Sequence, residues 1–484
     1  MEQKFCQSCG MPLSQDILGT NADASSNLKR WKKMTILLLL PLAFILNSAN
    51  AYALSGSWRG DLNLGQIKVP LVFNFSETES GEAQCTLDSP SQGAKGIATE
   101  VVHCSADSIA LTCNVIGASY TGKLYSGTIK GRFEQRGYAF PLDLTPDIPI
   151  EERRPQTPKP PFPYSVTDTT FVAPDGAIMS ATLTVPMTTD SKKMPAVVMV
   201  TGSGPQNRDE EYCDHKPFAV IADFLARNGI ASLRYDDRGT GKSGGNYLTS
   251  TTYTIKDDAA SGLEMLRSIP CIGDVGVLGH SEGGTIAVMI GAEDKADFII
   301  SLAGMAISGK ETLMRQNSHN LDKLDLSDAD KSNSLKLIEL GFDAIINQVQ
   351  KGQNVPVDID ALAADNNLRV PEQILQSLKM TQSTRAPWFD AFLVLNPREY
   401  LGKVKCPILA INGEKDKQVY PDNLTVIKEY IPHAETLLMP ELNHLMQHAV
   451  SGEMTEYDEI RETISPDVLD AIVRFIRNAC ENKD

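Results

Sequence analysis

The sequence predicts an α/β protein: a doubly wound, mostly parallel sheet with a helical lid, preceded by a small all-β domain. Three observations carry that prediction. From residue 196 onward, short apolar runs alternate with segments of helical spacing, as strands and crossover helices of a parallel sheet do. One of those runs, Val275, Val277 and Leu278, leads into Gly279-His280-Ser281-Glu282-Gly283 and then a small-residue segment to Ala292, which reads as strand, sharp turn and helix start. Residues 54–150 differ from the rest, with period-two alternation and recurrent glycine breaks.

Composition bounds what such a chain does. A length of 484 residues suggests two or three domains, and an apolar share of 42% is that of a globular protein. The formal net charge of -16 argues against nucleic acid or an anionic membrane as partner, because both are polyanions. Nine cysteines in this length are too sparse for a disulfide scaffold.

Taken in order, residues 1–27 hold Phe5-Cys6-Gln7-Ser8-Cys9-Gly10-Met11-Pro12-Leu13, which reads as half of a zinc ribbon and resembles the opening of a family of small bacterial zinc ribbons. A tetrahedral structural zinc needs four ligands, and Cys6 and Cys9 are matched by no second pair, so no metal is expected. Residues 28–51 have the make-up of an export signal. Lys29, Arg30, Lys32 and Lys33 precede the eleven-residue apolar stretch Ile36–Leu46, and Ala49-Asn50-Ala51 is a small-x-small cleavage site. That stretch falls short of the roughly 20 residues that span a bilayer, and no cysteine stands at the cleavage point for a lipid anchor. The expectation is a periplasmic or secreted protein beginning near Tyr52, without a membrane anchor.

Between 54 and 150, Ile67, Val69, Leu71, Phe73 and Phe75 line one face of a strand, and Ser126–Phe133 and Tyr138–Leu144 read as neighbouring strands of a small sandwich or barrel. No acid-base pair or ligand cluster stands out, which makes this an accessory domain with Trp58 in its core. Cys104 and Cys113 bracket one strand and could pair in an oxidising compartment. Five prolines in 151–164 form a stiff, extended linker.

Residues 165–484 carry the alternating elements. Asp175-Gly176 joins two β-like runs as a hairpin. The fully apolar Ala196–Val200 is a central strand leading into Thr201-Gly202-Ser203-Gly204. Phe218, Ile221, Ala222 and Leu225 are helically spaced before Gly229, and Ile230–Leu233 is the next strand. Beyond Ser281 come a strand at Phe298–Leu302, a mostly helical stretch over 306–400, and strands at Pro407–Ile411 and Glu435–Met439. The stretch 306–400 is too long for a plain connection and reads as a lid. Ser465-Pro466 caps a closing helix that buries Leu469, Ile472, Val473 and Ile476.

Four of these segments carry a resemblance: Gly202–Glu210 (G-S-G-P-Q-N-R-D-E), Asp237–Ser243 (D-R-G-T-G-K-S), Gly279–Gly284 (G-H-S-E-G-G) and Ile411–Asp416 (I-N-G-E-K-D). With them the chain resembles α/β-hydrolases, and among these the secreted bacterial serine esterases near the dienelactone-hydrolase and prolyl-oligopeptidase branches. Thr201 departs from that pattern, since many relatives carry histidine there. The resemblance implies a nucleophile, Ser281, followed along the chain by an acid and then a base. It favours Asp416 over the neighbouring Glu414 as the acid. His444, after the last strand, is in the position of the base, with His448 as the alternative; His280, inside the elbow, is expected to have its side chain engaged locally. Backbone N–H groups of Glu282 and of Ser203 or Gly204 would hold an oxyanion.

Such a site needs no metal or organic cofactor, and its partner would be a small-molecule ester. Trp388 and Phe389, in an aromatic cluster near the end of the lid, are candidates for lining the substrate pocket. Two further readings stand beside the esterase. One is a serine peptidase of the prolyl-oligopeptidase type using the same residues, although no acidic pair in the lid offers a grip on a peptide terminus. The other is a carbohydrate-binding or interaction protein acting through the β domain. Oligomeric state is not legible.

Overall fold

The computed structural model describes residues 4–5, 12–13 and 54–481, apart from 65–66, 79–81, 106, 149, 188–191 and 384. Strand β1 (Lys4–Phe5) pairs antiparallel with β2 (Pro12–Leu13). Cys6, Cys9 and the export signal read over 28–51 lie outside the described residues.

The next strands form a meander: β3 (Gly56–Leu64), β4 (Ile67–Glu77), β5 (Ala83–Ser89), β6 (Ala94–Cys104), β7 (Ser108–Cys113), β8 (Ala118–Tyr125), β9 (Thr128–Gln135) and β10 (Tyr138–Pro141). Each pairs antiparallel with its successor. The chain then returns through β11 (Thr145–Pro146), which pairs with β3 at Arg59 and Trp58, while Leu144 bridges Ile129 of β9. This return joins the two ends of the sheet and leaves few strand edges open to pair with another chain. Inward-pointing Phe73, Leu87, Leu111, Tyr120 and Ile129 are almost fully buried, and Trp58 packs among them. The expected Cys104–Cys113 pairing is not made. Cys104 faces Ile109 and Cys113 faces Ala118, at opposite ends of β7, and both are thiols.

After the short helix α1 (Ile150–Arg153), the hairpin β12 (Tyr164–Val172) and β13 (Ile178–Pro186) starts an eight-stranded sheet. Its remaining strands are β14 (Met194–Val200), β15 (Ala231–Tyr235), β16 (Ile272–His280), β17 (Ile299–Leu302), β18 (Ile408–Gly413) and β19 (Glu435–Met439). The order is β12-β13-β15-β14-β16-β17-β18-β19, parallel from β15 onward. Strands β14, β16 and β17 are apolar because both faces are covered. Helices α3 (Thr252–Arg267) and α4 (Glu282–Ala292) lie on one face; α2 (Pro217–Arg227) and α12 (Pro466–Glu481) lie on the other.

Between the adjacent strands β17 and β18 stand six helices: α5 (Gly309–Asp322), α6 (Asp328–Gln350), α7 (Ile359–Asp365), α8 (Glu372–Ser383), α9 (Pro387–Val394) and α10 (Arg398–Leu401). Ser308 opens α5 with a reciprocal capping box to Glu311, and Ser327 caps α6. Helix α9 packs on α3, α5 and α6, so these helices extend the core over the α3/α4 face. Helix α11 (Asn423–Tyr430) then leads to β19.

The proline-rich segment is anchored at its start. Arg154 is fully buried, and its guanidinium donates to the carbonyls of Cys213 (2.8 and 3.0 Å), Asp458 (2.8 Å), Ile460 (2.9 Å) and Arg153 (3.0 Å). Burial lowers its pKa to about 10, so it remains a cation at neutral pH. Around it, barrel residues reach the same two loops: Arg59 pairs with Asp458, and Lys95 with Glu211 and Asp214. Substituting Arg154→Ala would strand several buried carbonyls, each orphaned group costing about 1–3 kcal/mol. The expected outcome is a loss of about 3 kcal/mol or more in urea unfolding, where an Arg59→Ala change loses less.

Candidate active site

Ser281 sits between β16 and α4 with φ 54° and ψ -118°, a conformation that costs a non-glycine residue about 1–3 kcal/mol. The turn is held by close packing. A Cβ on Gly279 would lie 1.9 Å from the Gly283 carbonyl oxygen, and one on Gly283 would lie 2.1 Å from that of Val200. Only glycines let α4 approach β14 and β16 closely enough to force the serine outward. The Ser281 N–H is fixed by the Leu302 carbonyl at 2.8 Å.

Ser281 and His444 line one partly open cavity of about 40 Å³, together with Gly202, Glu210, Tyr212, Met454 and Tyr457 among others. His444 Nδ1 and Asp416 Oδ2 are 2.8 Å apart, and both side chains are buried. Asp416 is itself oriented, since its Oδ1 accepts from the backbone N–H of Gln418 (2.8 Å) and Val419 (2.9 Å). With the carboxylate accepting at Nδ1, that nitrogen carries the proton and Nε2 is left as the basic atom. The two alternatives lie apart: His448 is exposed and bonded to Glu462, and exposed Glu414 accepts from the Glu441 backbone.

The candidate oxyanion donors separate. The Gly204 N–H is committed to the Tyr247 hydroxyl at 2.9 Å, which removes it from the set. Ser203 lines the cavity, and the Glu282 amide opens α4 directly after Ser281. Thr201, at the end of β14, donates its hydroxyl to the buried Asp237 carboxylate, which also accepts the Gln206 N–H, so this loop is tied down at both ends.

The sequence gives no sign of the environment of the Glu282 side chain. Its buried carboxylate accepts from Ser203 Oγ (2.8 Å), Thr252 Oγ1 (2.6 Å) and Trp388 Nε1 (2.9 and 3.0 Å). Burial raises its pKa above the ordinary glutamate value, and the three donors oppose that rise. Trp388 and Phe389, read as pocket-lining candidates, therefore take other places. Trp388 packs against Phe392 and points its indole N–H at Glu282, while Phe389 packs edge-on against Phe342. Among the described residues of α5–α10 none lines the cavity, and α9 reaches the site through Trp388 on Glu282. These helices act on the cavity wall from behind: Gln316 bonds the Gln418 carbonyl, and His319 and Lys323 hold Glu453, beside Met454.

His280 is not engaged locally. Its Nδ1 meets Glu210 Oε1 at 2.9 Å and its Nε2 meets the His444 carbonyl at 2.9 Å, partners 70 and 164 residues away. The signal for Glu210 was an acidic residue eight positions after Gly202 in a loop of small and polar residues; the Gly202 N–H donates to it at 2.7 Å.

Residues 175–446 match the X-Pro dipeptidyl-peptidase (S15) family. Esterase EstD of Thermotoga maritima is 28% identical over 270 residues, which span 54% of this chain and 56% of that protein. Among solved structures, an esterase of Pyrococcus furiosus is 16% identical over 65% of this chain and 91% of its own, with a TM-score of 0.42. Est1E of Butyrivibrio proteoclasticus, solved with ferulic acid bound, is 15% identical over 65% and 98%, with a TM-score of 0.38.

Replacing Trp388 by Phe leaves the Glu282 carboxylate with two donors. The expected loss of stability is about 1–3 kcal/mol at neutral pH. A carboxyl with a raised native pKa favours the protonated native state, so its deficit grows as pH rises through that value. The W388F loss should accordingly shrink as pH falls, in urea titrations run at several pH values.

Proposed function

The chain belongs to the X-Pro dipeptidyl-peptidase (S15) family of α/β-hydrolases, and on that premise we propose that it hydrolyses small carboxylic esters through Ser281, His444 and Asp416. The observation that carries the reading is the strained serine sharing a cavity with a histidine whose other nitrogen is held by a buried, oriented carboxylate. In the proposed cycle His444 Nε2 takes the Ser281 Oγ proton as Oγ attacks the ester carbonyl carbon. Asp416 stabilises the imidazolium, and the N–H groups of Glu282 and Ser203 receive the charge on the carbonyl oxygen. Collapse breaks the bond to the alcohol oxygen, which leaves with the proton from His444. Water, deprotonated by the same histidine, then releases the acid from the acyl-enzyme.

Two features favour an ester over a peptide. A dipeptidyl-peptidase needs an anion for the substrate's ammonium group. Among the described residues lining the cavity Glu210 is the one carboxylate, and it already accepts from Gly202 and meets His280. A cavity of about 40 Å³ also suits a short acyl group. Export through residues 28–51 belongs to the same proposal, and N-terminal sequencing of the protein recovered from culture fractions tests it.

The full chain should be assayed on p-nitrophenyl acetate, butyrate and octanoate and on an alanyl-prolyl p-nitroanilide, beside Ser281→Ala. Acetate turnover exceeding octanoate, reduced at least ~10³-fold in the variant, is the expected result. Anilide cleavage without ester turnover would transfer the site to peptide substrates. Turnover that survives in Ser281→Ala would remove Ser281 from the chemistry.

A further inference from the structure

The proposed cycle uses His444 and leaves unexplained the second histidine beside Ser281. His280 immediately precedes the nucleophile, is buried, and lies with its ring 4.8 Å from that of His444. Its two ring nitrogens face a carboxylate oxygen of Glu210 and a backbone carbonyl oxygen of His444. A carbonyl oxygen can only accept, and an ionised carboxylate can only accept. A neutral imidazole has one N–H and satisfies one of these partners; an imidazolium satisfies both. Glu210 is arranged to be the counter-ion, since the oxygen that meets His280 also accepts the Gly202 N–H at 2.7 Å. One buried pair thus touches three parts of the site: the loop with Ser203 through Gly202, the elbow through His280, and the base through the His444 carbonyl.

We propose that His280 is a positively charged positioning residue, whose imidazolium donates to Glu210 and to the His444 carbonyl and so holds base, elbow and oxyanion loop in register. This rests on the serine-hydrolase reading of Ser281 and adds to it a requirement for charge on a residue that touches no substrate. The groups facing the ring are the Glu210 carboxylate, the His444 imidazole with Asp416 behind it, and the Tyr212 and Tyr457 phenols of the same cavity. Burial alone would depress the His280 pKa. Glu210, the His444 carbonyl and Asp416 outweigh burial and hold it above the ordinary histidine value. The interaction is therefore complete below the ordinary histidine value and is lost as pH rises through the raised one. In Glu210→Gln the opposite charge is gone and burial acts unopposed, so the ring loses its proton at lower pH.

Two measurements on the full chain test this. The first is ¹⁵N NMR of histidine-labelled Ser281→Ala protein titrated upward from pH 6, with His280→Gln in the same background to assign the ring. The expected spectra show one ring that keeps both nitrogens protonated after the exposed histidines have become neutral, absent from the His280→Gln sample. A neutral tautomer for that ring overturns the proposal, and does so whether or not Ser281 proves to be the nucleophile. The second is the pH profile of kcat on p-nitrophenyl acetate. Glu210→Gln should move the alkaline limb down by about one to three pH units and leave the acid limb in place, the size of shift an adjacent opposite charge exerts. A variant profile that only scales uniformly would make Glu210 a structural residue and overturn the proposal. Ester turnover surviving in Ser281→Ala would instead refute the serine reading, with the NMR result still deciding the charge on His280.

Discussion

The close approach of α4 to β14 and β16 is the constraint on which the rest of the site depends. Gly279 and Gly283 have no room for a side chain, so the backbone between them turns sharply and Ser281 takes a left-handed conformation it would not otherwise adopt. The strain persists because strands on both sides and a helix buried along all but its last residue over-determine it. Every other group is referenced to that turn. Asp416 and His444 come from the loops after β18 and β19, two and three strands beyond β16 in the sheet, and the parallel register brings both to the same edge as Ser281.

The carboxylates around the turn divide the work according to their surroundings. Asp416 is surrounded by N–H donors and faces an imidazole nitrogen. Glu282 is surrounded by two hydroxyls and an indole, which satisfy it without supplying a charge, and its pKa rises. Glu210 has a histidine and a backbone N–H as neighbours. Three acidic side chains within one site thus have three different environments, that of Asp416 set largely by its own loop and that of Glu282 by residues distant in sequence.

Much of this was legible before the structure and some was not, for definable reasons. The strand, elbow and helix around Ser281 could be read because apolar runs and glycine spacing are local signals. The sequential order of Ser281, Asp416 and His444 was legible through resemblance, and the fold brings Ser281 and His444 to one cavity with Asp416 bonded behind the imidazole. What could not be read was the destination of individual hydrogen bonds. Nothing near Gly204 marks Tyr247 as its acceptor, and nothing near Trp388 marks Glu282; an aromatic cluster has the same spacing whether it lines a pocket or closes a core. The helices after β17 were read as a lid from length and helical spacing, and neither says which face of the sheet the helices cover.

Arg154 has a consequence for the order in which the molecule is completed. The barrel is a meander of sequence neighbours, so its contacts are local and it can form early. Arg154 follows directly, yet its acceptors at Asp458 and Ile460 lie 304 and 306 residues further along the chain. During synthesis from the N-terminus, the barrel is folded long before the loop that must dock on it exists. That loop also carries Met454 and Tyr457, which line the cavity beside His444. A growing chain therefore carries Ser281 on a finished elbow with one side of its chamber missing, and the last loop to arrive both closes the chamber and fastens the two halves of the protein together.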